Sequence, residues 1–303
     1  MKYALLSGVA IWLATTWLLR LPLEAAILLF APLVLVRPAL SLVETPVAGT
    51  TEQLLLRLAS QAQLPAATAL AASFALPQGR LAGVLALPWL AVTLLLAITG
   101  VFRLRRSGWR LNGDLGVTAA LLMIAVGGGW AVLARAGLRP QDFSHAIVLL
   151  TAVHFHYAGF VLSLLAGQTI KEMSDNRSPH RLDRVMLTLI LTGVPLVGVG
   201  ISLSPRIEIV AAIALAIGCG LFAVRQVQVA ILSQSATRTT LLALSSLALV
   251  SAMIPAAIYA FGEFTGQAWL DIPAMIRTHG AFNAFGFAAC GIAGHAFARA
   301  SDH

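Results

Sequence analysis

"FSHAIVLLTAVHFHYAGFVLSLLAGQ", residues 143–168, is an apolar run without an acidic residue, lysine or arginine, yet it carries two histidines and a tyrosine near its midpoint. A helix that crosses a bilayer needs about 20 mostly apolar residues. This stretch therefore reads as a membrane span with polar groups at depth. Working outward from it, similar runs recur at 3–19, 21–37, 60–77, 81–102, 114–136, 184–204, 207–229, 239–261 and 272–298. The expected fold is all-α, a polytopic transmembrane helix bundle of about ten spans.

Composition agrees. Of 303 residues 59% are hydrophobic and 11% charged, where soluble domains carry about 25% charged residues. Mean hydropathy is +0.88. No polar stretch is large enough to fold alone, so residues 1–303 read as a single integral membrane domain. "TEQLLLRLAS" at 51–60 has the look of an amphipathic surface segment, and Pro65 and Pro77 crowd the third span. The first run, "YALLSGVAIWLATTWLL", is followed by another apolar run rather than by a small-residue cleavage site, and is read as a span.

Basic residues set the expected orientation. "RLRRSGWR" (103–110) and "KEMSDNRSPHRLDR" (171–184) fall on one side of a ten-span chain, together with Lys2, Arg37, Arg57, Arg225, Arg238 and Arg299; that side holds fourteen of the 20 Lys and Arg. Both termini are expected to be cytoplasmic. The formal net charge of +8 then reflects this bias and contact with anionic lipids at the cytoplasmic face. No basic-aromatic pattern suggests a nucleic-acid partner, and no Walker loop, GxSxG, HExxH or CxxC suggests a soluble type of catalysis. Cys219 and Cys290 fall inside spans and are expected to be packed thiols.

Ionisable groups at membrane depth are costly, so they are the first functional candidates. The sixth span begins at Asp142 or Ser144 and the tenth at Asp271, with Pro273 in its first turn. At 1.5 Å per residue, His154, His156, His279 and Asn283 then lie roughly 12 to 21 Å deep, near the middle of the bilayer. On a regular helix His154 and His156 point about 200° apart and serve different partners. His156 shares a stripe with Gly159, Phe160, Ser163 and Gly167, whose small members let another helix approach. His279, Asn283, Gly286 and Cys290 form a second stripe. The two stripes are expected to meet, with Tyr157 as a supporting donor. Candidate ligand-binding residues are His154, His156, Tyr157, His279 and Asn283, and candidate metal ligands are His154, His156 and His279. His295 turns to another side near the cytoplasmic end, and His180 and His303 read as solvated.

"VGGGWAV" (126–132) and "GVPLVGVG" (193–200) put Gly and Pro inside spans, where helices kink or unwind. "HYAGFVLSLLAG" (156–167) also lies over "NAFGFAACGIAG" (283–294) with Gly159/Gly286, Phe160/Phe287, Ala166/Ala293 and Gly167/Gly294 identical, an offset of four spans that suggests a parallel duplication.

"HFHYAGF" together with "THGAFNAFGF" resembles the YndJ-like family of bacterial multi-pass membrane proteins, chiefly over about 140–298. The motif positions are His154, His156, Tyr157, Gly159, His279, Gly280 and Asn283. The resemblance implies a bacterial inner-membrane location and, beyond an occasional transporter label, no settled activity.

Three functions remain open. A transporter would bind a small solute or ion at the His/Asn/Tyr site, using imidazole's ability to exchange protons near neutral pH. A cofactor protein would ligate haem iron, copper or zinc through the same histidines for redox or hydrolytic chemistry. A structural or partner-binding protein would use them only to lock helix packing. The topology is testable by single-cysteine labelling: cysteines placed at 103–110 and in the 171–184 loop are expected to react only when reagent reaches the cytoplasmic face, and labelling from outside would overturn the orientation.

Overall fold

A computed structural model describes residues 2–44, 46–174 and 179–301, leaving His303 and part of the 171–184 segment outside the described residues. The described chain forms ten helical rods in the order of the ten apolar segments and no strand. They are α1 (Lys2–Leu18), α2 (Leu23–Ser41), α3 (Thr51–Ser73), α4 (Arg80–Ser107), α5 (Gly113–Ala136), α6 (His145–Ser174), α7 (Arg181–Leu203), α8 (Pro205–Leu232), α9 (Ala236–Thr265) and α10 (272–301). Seven of them, α2 and α4 to α9, are long and apolar enough to cross a membrane. The remaining three are α1, at 17 residues, α3 and α10. The protein is a multi-pass membrane helical bundle.

Three rods contain π-helical turns, with backbone bonds from i to i+5: Ala31–Leu35 in α2, Phe155–Leu162 in α6, and Ile276–Gly280 and Phe282–Ala288 in α10. Such turns are rare and gather at functional sites. Here they coincide with both histidine motifs.

The chain divides into two compact units, one of residues 1–108 and 118–160, the other of 109–117 and 161–303. The first is built around α2. Every residue from Ala25 to Val36 in that helix is buried, as expected of a helix apolar on all sides. Its carbonyl oxygens are bonded from outside: Trp12 donates to Ala26 O at 2.8 Å, Tyr157 donates to Ile27 O at 2.8 Å, and Gln63 donates to Pro32 O. Pro32 has no N–H to offer the ladder, and the side chains supply donors around it. In the second unit α8 keeps Ile213, Ile217, Val224 and Ile231 turned outward as an exposed apolar stripe.

The element series α3–α6 is repeated by α7–α10. α3 and α7 each have 23 residues and an internal proline, Pro65 and Pro195, equally far from the N-caps Thr50 and His180. α4 and α8 each have 28 residues. The N-cap Ser144 of α6 accepts from Ile147 N, and the N-cap Asp271 of α10 accepts from Ala274 N. One constant offset carries Ser144 to Asp271 and the start of the π segment at Phe155 to Phe282. Of the two caps considered for α6, Ser144 serves, while Asp142 lies in a preceding short turn with φ 56°.

Each series also closes its first hairpin with a buried ion pair. Glu52 in the first turn of α3 meets Arg103 late in α4 at 3.3 Å, and Asp183 in the first turn of α7 meets Arg225 late in α8 at 2.7 Å. Asp183 further accepts from His180 N at 3.0 Å, while His180 Nδ1 accepts from Leu182 N, so this exposed histidine caps a helix. Removing one partner of a buried pair costs about 3 kcal/mol or more, because the other charge is stranded. Asp183→Ala is therefore expected to lose about 3 kcal/mol, read as a lower unfolding midpoint in detergent, whereas the exposed neighbour Arg184→Ala changes stability by less than about 0.5 kcal/mol. Equal midpoints would show that the pair does not hold the hairpin.

Candidate functional site

In the first unit the motif centres on His156, which is fully buried. Its Nδ1 lies 2.8 Å from Ala152 O, one turn back, so Nδ1 carries the hydrogen and donates. Its Nε2 accepts from Trp89 Nε1 at 2.9 Å, with the rings nearly parallel at 18°. The ring is thus used as one neutral tautomer with both nitrogens engaged. Trp89 is itself fully buried, and a buried indole N–H requires an acceptor.

The helix that lies against the His156 stripe is α5. A Cβ added at Gly127 would stand 2.7 Å from His156 Nδ1, and one at Gly159 would stand 3.1 Å from Met123 Cβ. A Cβ at Gly128 would collide with Thr93, one turn beyond Trp89 on α4. The glycines of "VGGGWAV" therefore admit the imidazole and α4 to the backbone of α5, which stays helical through them. Within the second unit Gly167 does the same, packing on the backbone of Gly113 and Gly116 at the start of α5.

Tyr157 is buried and tied to α2 through Ile27 O. His154 is half-buried, with Phe155 edge-on at 5.4 Å. These three residues belong to the first unit.

His279 and Asn283 belong to the second unit, where they pair with each other. His279 Nδ1 donates to Ala252 O of α9 at 2.9 Å, just before Pro255 withdraws a backbone donor from that helix. Asn283 Nδ2 donates to His279 O at 2.9 Å and lies 3.3 Å from each ring nitrogen. Both side chains are half-buried. Gly286, next on their stripe, abuts Ala248 of α9. Cys219 and Cys290 are free thiols.

For metal chemistry the decisive points are lone pairs and ligand number. His156 has no ring nitrogen left to offer, and among the described residues no group of three His, Cys, Asp or Glu side chains is placed to hold an ion.

Three partners were not anticipated from sequence. Trp89 sits mid-span in an apolar run, and only the general need of a buried indole for an acceptor would have pointed to it. Thr93 and Gly127 follow from Trp89 once the helices are placed.

The model of the YndJ-like protein family matches residues 26–287, and the chain belongs to that family. It is 32% identical over 208 residues to the uncharacterized membrane protein YndJ of Bacillus subtilis strain 168, a match that takes in 67% of this chain and 36% of that relative. The chain thus matches about a third of the relative's length. No solved structure matches it.

The packing on α5 makes a contrast within one tripeptide. Gly127→Ala forces its methyl group onto the His156 ring and is expected to cost about 1 to 3 kcal/mol. Gly129→Ala, with nothing within 4 Å of the added atom, is expected to be neutral in the same thermal assay. A neutral Gly127→Ala would mean that α5 does not press on His156.

Proposed function

We propose that this YndJ-like protein is a transporter of the bacterial inner membrane, with both termini cytoplasmic, and that it takes a small solute or ion at polar stations built on π-helical backbone. The observation that carries this reading is the placement of π turns at corresponding positions of α6 and α10, each beside a His/Asn/Tyr motif. Interrupted helices at matching positions of two repeats are where transporters build their binding sites, because non-α backbone presents polar groups that only a protein-lined or water-lined cavity tolerates.

The residues divide by burial. His154, His279 and Asn283 are half-buried and are assigned to contact the solute. His156 and Tyr157, buried and saturated by Trp89, Ala152 and Ile27, position the backbone that the first station uses. The basic loops are assigned to anionic lipid at the cytoplasmic face. A haem or metal role draws less support, since His156 has both nitrogens committed.

The test is flux in proteoliposomes loaded with a pH-sensitive dye and offered alkali cations, ammonium, halides and amino acids under imposed gradients. Saturable flux in the wild type is expected to fall at least tenfold in His279→Ala and Asn283→Ala, and also in His156→Ala, with the protein still inserted. The cap variant His180→Ala is expected to carry flux like the wild type. Wild-type flux in all three membrane variants, or none above empty liposomes across the panel, would overturn the proposal.

A further inference from the structure

A second titratable cluster, in the second unit, is made of residues outside both motifs and is unused by the transport reading. It joins the last turn of α6, the first turn of α9 and the later part of α10. Glu172 Oε1 stands 2.8 Å from His295 Nδ1. The other carboxylate oxygen, Oε2, is held by Arg238, whose Nε also donates to Gly294 O at 3.3 Å. An acidic partner on Nδ1 fixes the hydrogen there, because a carboxylate can only accept. Nε2 is then left as the lone-pair nitrogen.

His295 is 2% exposed, and its Nε2 is buried without a hydrogen bond among the described residues. A buried polar atom left unpaired costs about 1 to 3 kcal/mol, which calls for a use. Beside the pair opens a cleft of about 150 Å3 lined by Glu172, Met173, Val229, Leu232 and Arg238. Its size admits several water molecules, so Glu172 and Arg238 stand between solvent and the imidazole.

Among the described residues the charged surroundings are few. α6 contributes Glu172, and its neighbour Lys171 is bound to Asp114 at 2.8 Å. α9 contributes Arg238. α8 brings apolar Val229 and Leu232, and its Arg225 is occupied by Asp183. In the first series the position corresponding to His295 is Gln168, also buried but unable to titrate. The imidazole at this position belongs to the second series, while its carboxylate partner Glu172 comes from α6 of the first.

We propose that His295 is a proton-binding site, with Glu172 as the positioning residue that holds Nδ1–H and Arg238 as the clamp that holds Glu172. Uptake forms an N–H bond at Nε2 with a proton drawn from solvent, and the imidazolium so made faces the Glu172 carboxylate, which stays ionised between its two cations. No other bond changes. The site is independent of the transport reading and stands or falls without it.

The experiment is a pH titration of the full chain in lipid nanodiscs with ring-15N-labelled histidine, His295 being assigned by its loss in His295→Gln. At high pH the His295 signals are expected to show a protonated Nδ1 and a bare Nε2, and on acidification a doubly protonated ring. In Glu172→Gln the ring is expected to bind its proton at least about tenfold more weakly, since the opposite charge that favours the imidazolium is gone, and Glu172→Asp is expected to recover part of the loss. A wild-type ring carrying its hydrogen on Nε2, a ring that takes up no proton on acidification, or an unchanged midpoint in Glu172→Gln would each overturn the proposal. The wild-type tautomer decides even if a variant fails to fold.

Discussion

Every backbone carbonyl that leaves its helical ladder in a membrane must find a donor, because lipid offers none. Much of the polar chemistry of this protein answers that requirement. Trp12 and Tyr157 donate to consecutive carbonyls of α2, Gln63 to Pro32 O, His156 to Ala152 O, His279 to Ala252 O and Asn283 to His279 O. Prolines and π turns interrupt these helices, and histidine, tyrosine, tryptophan, asparagine and glutamine bring added donors to carbonyls near the interruptions. The two histidine motifs are therefore parts of the architecture before they are parts of a site. A solute station of the kind proposed would inherit that frame, with the half-buried His154, His279 and Asn283 at its surface.

The repeated series gives a way to separate architecture from specialisation. Features common to both copies, such as equal helix lengths, an ion pair closing the first hairpin and a π segment following a capped start, belong to the frame. Features confined to one copy are where the copies have diverged. His156 corresponds to Asn283 and Gln168 to His295, so each copy has one imidazole where the other has an amide. An amide preserves hydrogen bonding but removes titration.

The bundle was legible in the sequence because apolar length is a one-dimensional property: each of the ten expected segments holds a helix, though boundaries shifted, most at α3, where the amphipathic start 51–60 joins the helix. Helix caps at Ser144 and Asp271 were legible for the same local reason. Side-chain facing was not. Facing follows from 100° per residue on a regular α-helix, and the motifs lie in π register, where that angle fails. Partnerships over long separations were also hidden. Trp89 with His156, Asp183 with Arg225 and Glu172 with His295 join residues 42 to 123 apart, and no periodicity reports such a meeting. His295 falls off the polar stripe of its own helix, and its partner comes from another.

A π turn is geometrically one residue too many in an α-helix, and it can be undone by taking one away. Were a single residue lost between Phe155 and Leu162, the i to i+5 bonds would close to i to i+4 and the rest of α6 would keep its phase. The same loss from the α-helical stretch that follows, ahead of Glu172, would turn what lies beyond it by about 100° and carry Glu172 from His295 and Arg238 together. The π segment thus holds one residue of slack that the α-helical part of the same rod lacks.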